Sequence, residues 1–147
     1  EVENQLISSG DYRLAADPTK TFIVPQPKGE VPYLDFSPLE NAMVALKKST
    51  DSLNVLCSKA VASGSGSEAL NKKLYQAEQQ LLLVNGLPRR PWYKHALYAP
   101  GFYTGYGVKT MPGVREAIEE RNWKEAQEQI NLDAQALNKL AAYLLSE

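Results

Sequence analysis

The sequence predicts an all-α fold, a four-helix-bundle-like domain with one long ordered loop rich in glycine, proline and aromatic residues. Three observations predict it. Apolar residues recur at helical spacing over long stretches, helix-start signatures stand where those stretches begin, and no convincing hairpin or βαβ pattern lies between them. The 147 residues, 44% hydrophobic and 22% charged, match one globular domain able to bury a core without staples. Residues 1–36 read as a leading helix and a Pro-rich extended connector, and residues 37–147 as the bundle itself.

From Val2 to Ala16 the apolar residues Val2, Leu6, Ile7 and Leu14 predict an imperfect helix, interrupted at Ser8-Ser9-Gly10 and stopped by Asp17-Pro18. Pro18, Pro25, Pro27, Gly29 and Pro32, around the patch Thr21-Phe22-Ile23-Val24, predict a connector with no regular element. Ser37-Pro38-Leu39-Glu40 predicts a second helix: Ser37 as cap, Pro38 in the first turn, Glu40 closing a capping box. Leu39, Met43, Leu46, Thr50, Leu53, Cys57 and Ala60 continue it as one apolar stripe, on which Cys57 is a small core residue and not a nucleophile. Ser63-Gly64-Ser65-Gly66-Ser67 is a flexible link.

A third helix is expected over 68–84, with Leu70, Leu74, Ala77, Leu81 and Val84 on one face and Asn85-Gly86 as its C-terminal cap. A shorter helix starts at Thr110-Met111-Pro112-Gly113 and runs to about Arg121. Asn122-Trp123-Lys124-Glu125 is another capping box, opening a final helix that carries Trp123, Ala126, Ile130, Leu137, Leu140 or Ala141, and Leu144. Internal repeats are not evident.

Composition narrows the chemistry. Sixteen basic against seventeen acidic residues and a net charge of -1 argue against nucleic acid as a partner, because phosphate affinity needs accumulated Lys and Arg. One cysteine and one histidine leave neither a disulfide nor a zinc site, so no metal and no cofactor is expected in this domain. No phosphate loop, nucleophile elbow or clustered Ser-His-Asp set is written here, so no catalytic residue is assigned. Apolar runs such as Leu81-Leu82-Leu83-Val84 are far too short for a membrane span. The start at Glu1, without initiator Met or leader, reads as a processed product or a piece of something longer.

The 28 residues from Gly86 to Gly113 hold five glycines, four prolines and six of the thirteen aromatics. Trp92, Tyr93, Tyr98, Phe102, Tyr103 and Tyr106 either plug the end of the bundle or meet another protein surface. Tyr103 and Tyr106, set among Thr104, Gly105 and Gly107, favour a ligand: glycine lets a backbone approach closely and a phenol donates to an anion. Arg89, Arg90, Lys94 and His95 form the basic cluster of the loop and are expected to be a solvated rim or ion-pair partners. Glu116, Glu119, Glu120, Glu125 and Glu128 are expected on solvated helix faces, Glu116 and Glu119 favoring a first turn.

The stretch Gly86-Leu87-Pro88-Arg89-Arg90-Pro91-Trp92-Tyr93-Lys94-His95-Ala96-Leu97-Tyr98-Ala99-Pro100, then Tyr106, then Met111-Pro112-Gly113, resembles the C-terminal transferrin-receptor-like dimerisation domain of glutamate carboxypeptidase and its relatives. The resemblance extends over the capped helix from Ser37 and the last helix to Leu145, and Arg13-Leu14-Ala15 is similar to the end of the helix that leads into the domain. It implies an all-α homodimerising domain that follows a zinc-dependent peptidase domain in one chain. Two zinc ions are then held by that other domain, whose ligands map onto nothing here. The glycine-rich loop reaches into the substrate pocket, where a Lys-Tyr pair binds a C-terminal glutamate. Tyr106 falls on that Tyr and Gly105 on that Lys, with Lys109 three residues past Tyr106 as a substitute cation. The resemblance thus implies a substrate-binding loop of Tyr106, Gly105, Lys109 and Tyr103 that recognises a peptide's C-terminal carboxylate. It also implies work outside the cytoplasm, secreted, periplasmic or membrane-anchored. The transferrin receptor keeps this domain without peptidase activity, so the alternative is the interaction domain of a non-catalytic receptor-like protein.

Overall fold

A computed structural model of the chain describes residues 1–14, 19 and 24–146. The expected end of the leading helix at 15–18, and the patch at 21–23, lie outside the described residues. So does Ala15 of the Arg13-Leu14-Ala15 match. By its contacts the chain divides into two units, Glu1–Tyr33 and Leu34–Glu147.

In the first unit α1 (Val2–Ser9) ends where Gly10 adopts φ 80, and α2 (Asp11–Leu14) follows. The break expected at Ser8-Ser9-Gly10 is therefore real, and it sits on the residue that enters the left-handed region at no steric cost. Asn4 ties the connector to α1: its side-chain amide donates to the Lys28 carbonyl at 2.8 Å and accepts from the Lys28 N–H at 2.9 Å. Residues 24–33 form no regular element.

The second unit is mostly helical, with α3 (Ser37–Ser63), α4 (Glu68–Gln76), a 3-10 turn (Ala77–Leu81), strands β1 (Tyr98–Pro100) and β2 (Val108–Thr110), α5 (Pro112–Glu119) and α6 (Trp123–Leu145). Helix α6 lies at the centre and packs on α3, α5 and the 3-10 turn. Leu39, Ala42, Leu81, Ala96, Val114, Ile130, Ala134 and Leu137 form the core between them. Asn122 caps α6 as expected, accepting from the Glu125 N–H at 3.3 Å while its amide donates to the Glu125 carboxylate at 2.9 Å. Ser67 caps α4 by accepting from the Leu70 N–H at 3.1 Å.

Four expectations need correction. Ser37 is not the cap of α3; the Asp35 carboxylate accepts from both the backbone N–H and the hydroxyl of Ser37, at 2.9 and 2.6 Å, and these bonds hold its pKa below the ordinary value. The third helix does not reach Val84. Its α-helical part stops at Gln76, because the backbone beyond Leu81 pairs sideways: Ala96 N–H donates to Leu81 O at 3.0 Å, Leu83 N–H to Lys94 O at 2.8 Å, and Leu87 N–H to Tyr93 O at 2.8 Å. Gly86 keeps its left-handed conformation, φ 69, but in the turn of this ribbon and not as a helix cap. A hairpin does exist: β1 and β2 are antiparallel, with Tyr98 opposite Thr110 and Pro100 opposite Val108. Finally, the buried stripe of α3 runs Leu39, Ala42, Ser49, Leu53, leaving Met43 exposed and Cys57 half-buried. Ser49 is admitted because its hydroxyl donates back to the Ala45 carbonyl at 3.1 Å.

Candidate functional site

Strands β1 and β2 present the segment 101–107 as the tip of a hairpin. Gly101 N–H donates to Gly107 O at 3.0 Å, closing the loop. Inside it, Gly105 N–H donates to Gly101 O at 2.7 Å and Tyr106 N–H to Thr104 O at 2.8 Å. Two glycines make this turn possible. Gly101 is buried beneath the Thr104 hydroxyl, which a Cβ would strike, and Gly105 has φ 63 with open space around it. Tyr106, next to Gly105, is 98% exposed. Its hydroxyl has no hydrogen-bond partner among the described residues, so its capacity to donate to an anionic group is unspent.

The root of the loop is held by charge. Arg90 and Glu116 are both 3% exposed, and the guanidinium Nη2 donates to the two carboxylate oxygens of Glu116 at 2.9 and 2.7 Å. Nη1 of Arg90 donates to the Pro100 carbonyl at 2.6 Å, and Glu116 Oε1 accepts the Phe102 N–H at 2.8 Å. Arg89 pairs with Glu120 at 3.3 Å and Glu125 at 3.1 Å. Both guanidinium groups lie within 5.7 Å of the Phe102 ring centroid, a cation–π arrangement that fixes the ring. Tyr103 meets Phe102 edge-on at 5.0 Å, and the Glu120 carboxylate near its hydroxyl raises the phenol's pKa. Lys109 pairs with Glu119 at 2.5 Å, and Glu119 also takes Arg115 at 3.2 Å; these cations hold the Glu119 carboxyl below its ordinary pKa.

The four residues singled out from sequence therefore divide. Gly105 and Tyr106 stand together on the open tip, whereas Lys109 is engaged by Glu119 of α5 and Tyr103 packs edge-on against Phe102. The basic cluster is engaged rather than free: Arg90 is buried and Arg89 exposed, both ion-paired as above, Lys94 is exposed with its ammonium on the Val84 carbonyl at 2.6 Å, and His95 is half-buried and stacked on Tyr98 at 3.9 Å. Burial lowers the His95 pKa, against the opposing pull of Glu78 3.7 Å away. Glu116 corrects the expectation of a solvated carboxylate. Its signal was present, since it shares the α5 face of Gly113 and Ala117, where an acid needs a buried cation.

Asp133 went unnoticed in the sequence. It sits within the apolar pattern of α6, 1% exposed, with Oδ2 unpartnered, and burial raises its pKa to about 7. Gln129, one turn before it, likewise buries an unpartnered Oε1. Among the described residues no group of three or more His, Cys, Asp and Glu side chains could hold a metal ion, and no helix is long and apolar enough to cross a membrane.

Comparison with known proteins bears on this geometry. The chain is 38% identical over 85 residues to a probable glutamate carboxypeptidase of Arabidopsis thaliana, a stretch covering 53% of this chain and 12% of that protein. To a probable glutamate carboxypeptidase of Arthroderma benhamiae it is 34% identical over 118 residues, 78% of this chain and 16% of the relative. With a Saccharomyces cerevisiae protein named as a zinc metalloprotease it shares 38% identity over 85 residues, 52% of this chain and 10% of that one. The chain thus matches no more than about a sixth of the length of these relatives. The family model for the transferrin receptor-like dimerisation domain matches residues 34–145, most of the mostly helical second unit and all of the 101–107 loop, and the chain belongs to that family.

Proposed function

We propose that this chain is the C-terminal dimerisation and pocket-completing domain of a zinc-dependent exopeptidase of the glutamate carboxypeptidase type, in which residues 37–147 form a four-helix-bundle-like body and residues 1–36 lead into it. The domain is not catalytic alone. Zinc belongs to a peptidase domain supplied by the longer protein, and the fully formed particle is a homodimer working outside the cytoplasm. The relatives' names support the reaction class. The observation that carries the loop's role is Tyr106, a free phenol held at the tip of a braced hairpin.

In this reading the Tyr106 hydroxyl donates to the α-carboxylate of a peptide C-terminus, and Gly105 leaves the neighbouring position without a cation. Lys109, spent on Glu119, would have to leave that carboxylate to reach an acidic side chain, while Tyr103 packs against the Phe102 ring. A charge-assisted hydrogen bond is worth about 1.5–3 kcal/mol, so preference for C-terminal glutamate is relaxed while recognition of a C-terminal carboxylate persists.

The test uses the longer protein with its peptidase domain. Tyr106→Phe is expected to cost about 1–3 kcal/mol in kcat/KM, entering KM and kcat together because the contact positions the scissile bond. Folding is unchanged, since the ring remains. Equal kinetics for folded Tyr106→Phe and wild type would remove Tyr106 from the pocket.

A further inference from the structure

The Arg90–Glu116 pair has no part in binding substrate, yet it touches the hairpin at two peptide groups. The Pro100 carbonyl and the Phe102 N–H flank Gly101, the residue whose own N–H closes the loop on Gly107. We infer that Arg90 and Glu116 are positioning residues of the pocket loop, gripping the chain on both sides of Gly101 and so fixing where Tyr106 stands. This inference rests on the pocket reading of Tyr106.

Two considerations lead to it. A buried ion pair is a poor device for stability alone, because removing two charges from water offsets most of their attraction, and apolar residues of similar volume commonly replace such pairs without loss. What apolar residues cannot do is satisfy the Pro100 carbonyl and the Phe102 N–H. The tip, moreover, has little to hold it: Gly105 and Gly107 have nothing within 4 Å of where a Cβ would stand, and Tyr106 is almost wholly exposed. Its placement must therefore come from the root. Through the pair, the turn at 87–90, the end of β1 and the buried face of α5 are joined at one point.

Amide hydrogen exchange on this chain is the first arm of the test. In the wild type the Phe102 amide should exchange as slowly as those of α5, and at least tenfold more slowly than the amides of the loop tip. R90M/E116L, an apolar pair of similar volume, should keep the protection of α3 and α6 while the Gly101 and Phe102 amides exchange at least tenfold faster. Free exchange of Phe102 in the wild type overturns the inference whether or not the variant folds, as does unchanged loop protection in a folded R90M/E116L.

The second arm is kinetic, in the longer protein with its peptidase domain. R90M/E116L should raise KM about tenfold with kcat changed less than threefold, because the loop must then be ordered by the substrate. Tyr106→Phe added to that background should cost less than it does alone. Strictly additive costs overturn the positioning role while leaving the pocket reading intact, whereas a Tyr106→Phe without effect in either background removes the pocket reading itself.

Discussion

Glu116 and Asp133 bury carboxylates by opposite means. Glu116 is paired with the Arg90 guanidinium, whereas Asp133 Oδ2 has no hydrogen-bond partner among the described residues, and burial lifts the Asp133 pKa to about 7 from 3.8. The folded state therefore binds a proton that the unfolded chain releases near pH 4, so Asp133 erodes stability as pH rises from about 4 to about 7, with no further loss above. The penalty at pH 8 is on the order of 4 kcal/mol. Asp133→Asn, which cannot ionise, should accordingly exceed wild type by roughly 2–4 kcal/mol in urea unfolding at pH 8 and match it within about 1 kcal/mol at pH 4. Parallel pH profiles for the two proteins would show a carboxyl that titrates normally. Glycines separate in the same way. Gly86→Ala forces a Cβ into the Pro91 carbonyl at φ 69, while Gly105→Ala meets open space at φ 63. The first should cost more than about 2 kcal/mol and the second about 1 kcal/mol in the same unfolding assay; equal costs would mean that the 86–91 turn yields freely.

Elements were legible where local chemistry decides them. The Asn122 box, the Gly10 break and the link expected at 63–67, which is non-helical over 64–67, depend on residues within one turn of each other, and each stands within a residue of where it was expected. Where long-range pairing decides, periodicity misled. The Leu81–Val84 run fits a helix by spacing, but its backbone partners, Lys94 and Ala96, lie over ten residues away. Strands of three residues carry too little alternation to be seen at all. At the site, the exposed tip of Gly105 and Tyr106 could be read from flanking glycines, but the partners of Arg89, Arg90 and Lys109 could not, since each pairs across ten or more positions. The hub role of α6 follows from one broad buried face, which runs from Gln129 and Ala136 at one edge to Ala134 at the other. Ile130→Ala, at a fully buried site, should cost about 2–5 kcal/mol, whereas Leu56→Ala on α3, 56% exposed, should stay within about 0.5 kcal/mol. Comparable losses in thermal unfolding would place Leu56 in a core that the second unit does not show.

At the scale of the molecule, α3 carries apolar surface that the second unit leaves uncovered. Val44 and Val55, three turns apart on one side of the helix, are 56% and 54% exposed, while Leu56 and Val61, at 56% and 82%, are exposed on other sides of it. A dimerisation domain needs such a face, because the hydrophobic effect gives roughly 25 cal/mol for each Å² of apolar surface removed from water, and obligate dimers commonly bury more than ~2,000 Å². Self-association should therefore be visible by sedimentation over about 1–100 µM, with the apparent mass rising with concentration. Val44→Lys together with Val55→Lys should weaken it by at least about tenfold, since an unpaired ammonium would be driven into the contact. Because both positions are already exposed in one chain, the monomer's own unfolding should move by less than about 0.5 kcal/mol per site. A wild-type chain that stays monomeric throughout would move dimerisation to surfaces outside this domain. A dimer indifferent to both lysines would instead place the contact on another face, with the turn before β1 that carries Trp92, 70% exposed, the next surface to charge.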